Sequence, residues 1–335
     1  MPDIRQRFEM KKSTRSRCQE ALKILLFMGG LAGILVLLSR FLKPKREQVY
    51  DVVSLEKMMA LYDAETDNTI DVVFIGDSEA YATFCPMVMF EKAGFTSYVG
   101  GVSAQRLCDT YAFLENVFRS QSPKAVVLET NNLYRYAGAE VEADDAYQRM
   151  SQRVFPVLKY HSRWKTFCIA TMNRKNDFAA QAQHKGFRFR DTTKPYTKGD
   201  YMIPTDSEEA FAKGAEEYLD RIISLCREKG VELMLVSAPS PVCWNYEKHN
   251  AVASYADRNG LTYCDLNLMT DQLGIDWRKD TKDAGNHLNY VGAVKVSEYL
   301  AGYLAGEFQL ADHRSDPDYA EWTQVCETFF AMTGR

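Results

Sequence analysis

The sequence predicts an α/β fold: a three-layer α/β/α sandwich on a five-stranded parallel, flavodoxin-like sheet, preceded by an N-terminal transmembrane helix. Short apolar runs alternate with helix-like segments along most of the chain, which is typical of a parallel sheet covered on both faces. The run at residues 72–75 leads straight into Gly76-Asp77-Ser78, as a buried strand does when it turns into a helix. Near the N-terminus, residues 24–39 are uncharged and apolar, and with Phe41 and Leu42 they reach the roughly 20 residues that cross a bilayer.

The predicted core consists of strands and helices in alternation. Five strands are expected, at residues 72–75, 96–99, 125–128, 232–236 and 262–266. The helices that cover them are expected at residues 86–93, 104–119, 207–229, 244–258 and 292–305. A stalk helix at 48–66 precedes the first strand, and a helical segment at 316–330 is expected to pack back on the domain. Residues 131–206 show little periodicity, which indicates a long insertion.

These elements divide the chain into consecutive parts. A basic cytoplasmic segment (residues 1–23) is followed by an anchor (24–42) and a stalk (43–69). A catalytic domain (70–310) and a helical tail (311–335) complete the chain. A hydrophobic content of 46% is sufficient for the core of one large domain. No internal repeat is evident, so repeat architectures are excluded.

The anchor is expected to leave the globular part outside the cytoplasm. Residues 1–47 hold 11 Lys and Arg against 4 Asp and Glu, and seven of the basic residues precede the apolar segment while four follow it. By the positive-inside rule the N-terminus is then cytoplasmic, on a single-pass protein of the cell membrane. A cleaved signal peptide is the alternative, but residues 38–43 are bulky and basic and offer no small-residue cleavage site.

The acidic character of the globular part excludes one class of partner. From residue 48 onward, 30 basic residues stand against 41 acidic ones. A nucleic-acid-binding surface needs a basic patch or stripe, so no nucleic-acid partner is expected. The eight cysteines show neither CxxC nor the Cys/His spacing of a metal site, so neither a metal nor another cofactor is expected.

A serine and a histidine stand out as a nucleophile and its base. Ser78 is expected at the carboxyl edge of the sheet, where its hydroxyl can attack and its backbone N–H can hold an oxyanion. Serine also favours helix N-caps, which is the structural alternative for Ser78. His287 is the best base among five histidines, because Asp283 precedes it and can orient its imidazole, although Asp280 is close enough to compete.

These residues resemble the sequence blocks of the SGNH (GDSL-type) hydrolases, over about residues 70–310. Four blocks match in order: Gly76-Asp77-Ser78, Gly100-Gly101, Glu129-Thr130-Asn131-Asn132, and Asp283 with His287. The resemblance implies a triad of Ser78, Asp283 and His287. It also implies an oxyanion hole from the N–H groups of Ser78 and Gly101 and the side chain of Asn131. Two departures stand out: the acid and the histidine are one residue farther apart than usual, and Glu129 replaces a glycine.

Within that family the chain looks like the DltD/AlgX-like branch, on four features: the anchored N-terminus, Gln105, the string from His287 to Lys295, and the late Asp312-His313-Arg314. That resemblance implies an extracytoplasmic serine esterase or acyltransferase. It would act on acetyl or D-alanyl O-acyl groups of a cell-envelope polysaccharide or teichoic acid, beside a multi-pass membrane O-acyltransferase. Two alternatives stay open: a lipase or thioesterase-like hydrolase, and a non-catalytic anchored scaffold that binds the polymer or the acyltransferase.

The insertion and the other histidines carry weaker signals. Aromatic and basic side chains of residues 131–206, among them Tyr134 and Arg135, suit sugar rings or anionic groups of a polymer. They equally suit a packed cover over the domain, so no binding residue is assigned there. His184 and His249 lie in polar surroundings, which is typical of a solvated surface.

The orientation can be tested with reporters. A reporter fused after Arg335 is expected to be active outside the cell, and one placed before Lys11 is not, because the basic flank holds the N-terminus in the cytoplasm. Protease added to intact protoplasts should degrade the globular part. Survival of that part until the membrane is lysed would reverse the orientation.

Overall fold

The computed structural model describes residues 4–42, 55–135, 154, 155, 157 and 184–335. Most of the 131–206 insertion and the first part of the predicted stalk lie outside these residues. The chain forms two units: Met1–Val49 with Ala143–Lys175, and Tyr50–Glu142 with Asn176–Arg335.

The first unit contains one long helix, α1 (Ile4–Leu42). Its segment Gln19–Arg40 is 22 residues long and apolar, and almost all of its side chains are exposed. At about 1.5 Å per residue this segment is long enough for the roughly 30 Å hydrocarbon layer of a bilayer. The helix therefore has the length and composition of a membrane anchor or of a signal sequence.

A five-stranded parallel sheet forms the centre of the second unit. Its strands are β1 (Val72–Gly76), β2 (Ser97–Gly101), β3 (Ala125–Glu129), β4 (Glu232–Ser237) and β5 (Thr262–Asp265), in the order β2-β1-β3-β4-β5. This confirms the predicted fold class. In this order the chain reverses direction across the sheet between β1 and β3, and ligands of open α/β sheets bind at such a point.

The helices of this unit are α2 (Leu55–Tyr62), α3 (Ser78–Thr83), α4 (Pro86–Ala93), α5 (Leu107–Ser120), α6 (Ala215–Lys229), α7 (Tyr246–Asn259), α8 (Tyr290–Glu307) and α9 (Ala320–Thr333). The short helix α3 is not predicted by the sequence pattern. The predicted start of α6 at residue 207 is wrong by eight residues. Its cause is tertiary, because backbone bonds from Glu209 to Glu247 and from Ala212 to Leu133 hold the preceding segment in a non-helical path.

Side chains alternate across the sheet and fill one core on each face. In β1, Val73 and Ile75 belong to one core, and Val72 and Phe74 belong to the other. Every residue of β1 and β3 is buried between the two cores. Continuous apolar strands of this kind are the signature of a parallel sheet covered on both faces.

The C-terminal helix α9 packs on the first of these cores. Trp322, Cys326 and Phe329 form its buried face. The Phe329 ring lies edge-on to His184, with 4.9 Å between centroids, and to Tyr290, with 5.7 Å between centroids. Phe329 is 1% exposed, so it carries much of the contact between the tail and the domain.

Replacing Phe329 by alanine should lower the free energy of unfolding by about 3–5 kcal/mol, because it opens a cavity in a close-packed core. Met332→Ala in the same helix is the matched control, since Met332 is 51% exposed and its loss should change stability by less than about 0.5 kcal/mol. Denaturant unfolding of the full-length protein in detergent measures both. Equal stability of the two variants would show that α9 does not anchor the tail.

Candidate active site

The candidate site lies at the carboxyl edge of the sheet, where β1, β2 and β3 end. Ser78 follows β1, Gly101 ends β2, and Asn131 follows β3. Because parallel strands end on the same side, these three residues are brought together from distant parts of the sequence.

Ser78 is the first residue of α3, and the residue that caps this helix is Asp77. The Asp77 Oδ1 atom accepts a hydrogen bond from the Glu79 N–H at 2.9 Å. The interpretation of Ser78 as the N-cap is therefore wrong. Its hydroxyl is not used for capping, and the residue is 7% exposed at the edge of the sheet.

The second oxygen of Asp77 joins the end of β1 to the end of β3. Its Oδ2 accepts from the Asn131 side-chain amide at 3.0 Å and from Arg135 Nε at 2.8 Å. A second Arg135 nitrogen lies 2.8 Å from the same oxygen. Asp77 is fully buried, so each of these bonds offsets part of the cost of removing its charge from water. One hydrogen of the Asn131 amide is used by Asp77, which leaves the other for a ligand.

Glycine is required at Gly101 because β2 ends against the turn that carries the serine. A Cβ there would lie 2.8 Å from the backbone oxygen of Asp77, which is closer than real Cβ contacts allow. The backbone of Gly101 therefore borders the Asp77–Ser78 turn directly. This is the position that an oxyanion donor from the second sequence block would occupy.

Glu129, which replaces a glycine in the third block, holds the Asn131 turn. Its Oε2 accepts from the Asn131 N–H at 3.1 Å and caps the short 3₁₀ helix Thr130–Tyr134. It lies so close to Gly76 that a Cβ on Gly76 would be 2.8 Å from the Glu129 Cβ. Burial, and next to it the charge of Asp77, raises the pKa of Glu129 well above its usual range. The glutamate at position 129 fits here because Gly76, which it approaches closely, has no side chain.

Asp283 and His287 form a hydrogen-bonded pair. The imidazole Nδ1 lies 2.7 Å from Asp283 Oδ2, and the His287 backbone N–H donates to Asp283 Oδ1 at 2.7 Å. Burial alone would raise the pKa of Asp283, but the hydrogen bonds and charge of His287 outweigh it and hold that pKa below its usual value. The short Nδ1–Oδ2 contact indicates that Nδ1 carries a proton and donates it in a hydrogen bond to Asp283. In this tautomer the lone pair of Nε2 is free to act as a base.

A tight loop holds this pair just before α8. The Thr281 hydroxyl donates to the His287 carbonyl at 2.9 Å and accepts from the Gly285 N–H at 2.8 Å. Gly285 has a φ of 88°, a left-handed conformation that favours glycine. The extra residue between Asp283 and His287 is absorbed in this turn.

Asp280 is not a partner of His287. Its Oδ2 lies 2.6 Å from Lys295 Nζ and accepts from the Asp276 N–H at 2.7 Å. The residue is 1% exposed and secures the base of the loop against α8. Of the two candidate acids, only Asp283 contacts the imidazole.

The Nε2 atom of His287 is buried and has no hydrogen-bond partner among the described residues. No bond therefore joins it to the Ser78 hydroxyl in this structure. The carboxyl group of Glu79 faces it, with Oε1 at 3.8 Å. Catalytic hydrogen bonds in a free enzyme are often open and close only when substrate binds.

Sequence reasoning missed most of the groups that support the site. The link from Asp77 to Asn131 and Arg135 has no local signal, and Arg135 is expected only as part of a variable insertion. Glu79 had one available signal, since a glutamate directly after the serine must lie on the first turn of α3.

The expectation that His184 lies on the surface is wrong, and His249 is only partly exposed. His184 is 5% exposed, and His249 Nδ1 lies 2.9 Å from Asp265 Oδ2. The polar residues next to each histidine in the sequence did not indicate its contact with Phe329 or Asp265, which lie elsewhere in the sequence.

Comparisons with known proteins give a fold-level likeness. No protein-family model matches the sequence, and no curated protein matches it. The chain is similar to a GDSL-like lipase from Bacteroides thetaiotaomicron, with 13% identity over 76% of this chain and 98% of that one (TM-score 0.38). A protein from Desulfitobacterium hafniense described as lipolytic, of the G-D-S-L family, shows 14% identity over 70% and 99% (TM-score 0.37). An acetyl xylan esterase shows 14% identity over 71% and 99% (TM-score 0.36). At these identities and scores the likeness does not establish a family.

The two acids can be separated by mutation. Asp283→Asn should lower kcat for ester hydrolysis by roughly 10⁴-fold, the effect seen when the orienting acid of a serine triad is replaced. Asp280→Asn is the matched control and should lose less than about tenfold, because Asp280 contacts Lys295 rather than the imidazole. Steady-state kinetics and the melting temperature of both variants decide the matter. The reverse ordering would assign the role to Asp280, and equal mild losses would mean that His287 works without an acid.

Proposed function

We propose that this chain is an SGNH-type serine esterase or O-acyltransferase that works through an acyl-Ser78 intermediate. The observation that carries the proposal is the Asp283–His287 pair, in which Nδ1 is held at 2.7 Å while Nε2 stays unpartnered. A histidine held in this way can accept a proton at Nε2, and the hydroxyl of Ser78 after β1 can supply one.

In the first half-reaction, His287 Nε2 takes the Ser78 proton while Oγ attacks the ester carbonyl carbon. The negative charge that develops on the carbonyl oxygen would be held by the N–H groups of Ser78 and Gly101 and by the free amide hydrogen of Asn131. Collapse of this tetrahedral species breaks the bond to the alcohol, which leaves with the proton from Nε2. The products are the free alcohol and an acyl ester on Ser78.

In the second half-reaction, a hydroxyl group attacks the acyl-Ser78 carbonyl. His287 removes its proton and then returns that proton to Ser78 Oγ. Water as the attacking group gives an esterase, and a sugar or polyol hydroxyl gives an acyltransferase. The difference depends on which acceptor reaches Nε2, since Asp283 orients and stabilises the imidazolium in the same way in both cases.

The setting of this chemistry follows from the N-terminal helix and the sequence resemblance. We propose a single-pass anchor with a cytoplasmic N-terminus and a catalytic domain outside the cytoplasmic membrane. Acetyl or D-alanyl groups of a cell-envelope polysaccharide or teichoic acid are the proposed acyl substrates. A multi-pass membrane O-acyltransferase is the proposed partner that supplies them.

The full-length protein in detergent should hydrolyse p-nitrophenyl acetate, slowly, because water is not the proposed natural acceptor. Ser78→Ala should lower the rate by roughly 10⁴-fold or more, as loss of a triad nucleophile does. Ser224→Ala is the control and should keep the wild-type rate, since Ser224 is exposed and its hydroxyl only donates to Asp220 within α6. The release of p-nitrophenol measures the hydrolysis rate of the wild type and of both variants.

Mass spectrometry of the wild-type protein with the same ester should detect one acetyl group on Ser78. Wild-type turnover in the Ser78→Ala protein would exclude Ser78 as the nucleophile. Addition of a polysaccharide acceptor separates the two activities, because an acyltransferase should acetylate the polymer and release p-nitrophenol faster.

A further inference from the structure

Glu79 places a second carboxyl group beside the catalytic base. The residue belongs to α3 directly after Ser78 and is 1% exposed. Its Oε1 lies 3.8 Å from His287 Nε2 and 3.4 Å from the Ser240 hydroxyl oxygen. The imidazole thus lies between Asp283 at Nδ1 and Glu79 on its Nε2 side.

Two buried atoms at this contact have no hydrogen-bond partner among the described residues. They are Glu79 Oε2 and His287 Nε2. Buried polar atoms are almost always paired, and exceptions concentrate at sites of chemistry or strain. Both atoms lie at the contact between Glu79 and the imidazole of His287, the base of the proposed chemistry.

The hydrogen bonds of Ser240 indicate which form of Glu79 is present. The Ser240 hydroxyl has one proton, and its shortest contact, 2.7 Å, is to the Asn286 carbonyl. The Gly285 carbonyl and Glu79 Oε1 are both farther away, at 3.3 and 3.4 Å. Because Ser240 donates mainly to the Asn286 carbonyl, it offers Glu79 Oε1 only a long, weak hydrogen bond, which does little to stabilise a charged Glu79 carboxylate.

The surrounding acidic groups favour an uncharged Glu79, whereas a hydrogen bond with the Cys243 thiol lowers the pKa of Glu79 and only partly opposes them. Glu79 faces the acidic side chains of Asp77, Glu129 and Asp283 and the thiol of Cys243. Burial first, and then the charges of Asp77 and Glu129, raise the pKa of Glu79 well above its usual range.

Three cationic or potentially cationic groups lie near enough to oppose these carboxyls. Arg135 is bonded to Asp77 and thus already engaged. Lys282 is mostly buried and interacts with Asp283 as well as with Glu79. His287 is the third, and its Nδ1 is bonded to Asp283.

We propose that Glu79 in its uncharged form is a positioning residue for His287, and that loss of its proton disables the site. This inference rests on the proposed esterase chemistry. An uncharged Glu79 borders Nε2 without attracting a proton to it, so the lone pair remains available to Ser78. A carboxylate at the same place favours the imidazolium, which cannot act as a base, and it repels the oxyanion that develops next to Ser78.

Glu79→Gln tests the inference because glutamine keeps the shape and cannot ionise. The full-length wild type should lose kcat/KM at alkaline pH, approaching tenfold per pH unit once Glu79 has titrated, as expected for the loss of one proton. Over the same range Glu79→Gln should lose less than about twofold. The acid side of the profile should be the same in both proteins, because Glu79 is uncharged there in the wild type.

Glu65→Gln is the matched control. Glu65 is also buried, burial also raises its pKa, and its carboxylate pairs with Lys185 at 2.7 Å. This variant should keep the wild-type profile on both sides. The inference is overturned if Glu79→Gln retains the alkaline loss. It is equally overturned if the acid side of the Glu79→Gln profile moves down by a pH unit or more, since Glu79 would then act as an anion.

Nitrogen NMR of ¹⁵N-histidine-labelled wild type gives a readout that does not depend on turnover or on a variant at Glu79. The His287 signals are identified by their loss in His287→Gln. At neutral pH the ring should be uncharged, with the proton on Nδ1 and none on Nε2, and the Nε2 signal should shift as Glu79 titrates. An imidazolium at neutral pH would overturn the inference. A protein that shows the expected ring but no ester hydrolysis would instead contradict the proposed function alone.

Discussion

The buried carboxylate of Asp77 is the constraint on which the site depends. One of its oxygens caps α3 and the other holds Asn131 and Arg135, so a single side chain fixes the ends of β1 and β3 relative to each other. Removing a charge from water is costly, and these bonds offset that cost only while both strand ends keep their places. The position of Ser78 relative to Asn131 is thereby tied to the integrity of the sheet. Gly76 and Gly101 complete the constraint, because any side chain at either would push the strand ends apart.

Three acidic side chains, Asp77, Glu79 and Glu129, are buried within this small region. Asp77 pairs with Arg135, and Glu129 accepts hydrogen bonds from backbone N–H groups. Among the described residues, Glu79 forms neither kind of bond, and the only basic group in contact with it is the titratable imidazole of His287, at 3.8 Å. The three thus occupy different electrostatic conditions although they lie close together. A fold under selection for stability alone would place apolar groups at such positions, since a buried carboxyl without a counter-ion destabilises the native state. The arrangement is typical of a functional site, where environments that push pKa values apart allow one group to stay charged beside another that does not.

The sheet and the helix α4 could be predicted from local signals. Five apolar runs marked the strands, and Pro86 and Gly94 marked both ends of α4. The start of α6 could not be predicted, because backbone bonds to residues far along the chain override the local pattern there. The same holds for the site. Ser78, Asp283 and His287 stand in short motifs, but Asp77 meets Asn131 across 54 positions and Glu79 meets Ser240 across 161. Such contacts form only after the sheet has assembled, so neither the amino-acid composition nor the spacing of residues in the sequence predicts them.

The parallel arrangement of the strands affects how the domain folds during synthesis. No strand pairs through a hairpin, so every pairing waits for a crossover segment, and folding of such sheets is slow compared with that of helical bundles. The ribosome makes the serine turn early and the loop of His287 near the end. Until that loop reaches the edge of the sheet, Ser78 has no histidine beside it and two cores have open apolar surface. The candidate site is therefore completed in one late step of synthesis, and before that step the exposed apolar surface favours aggregation.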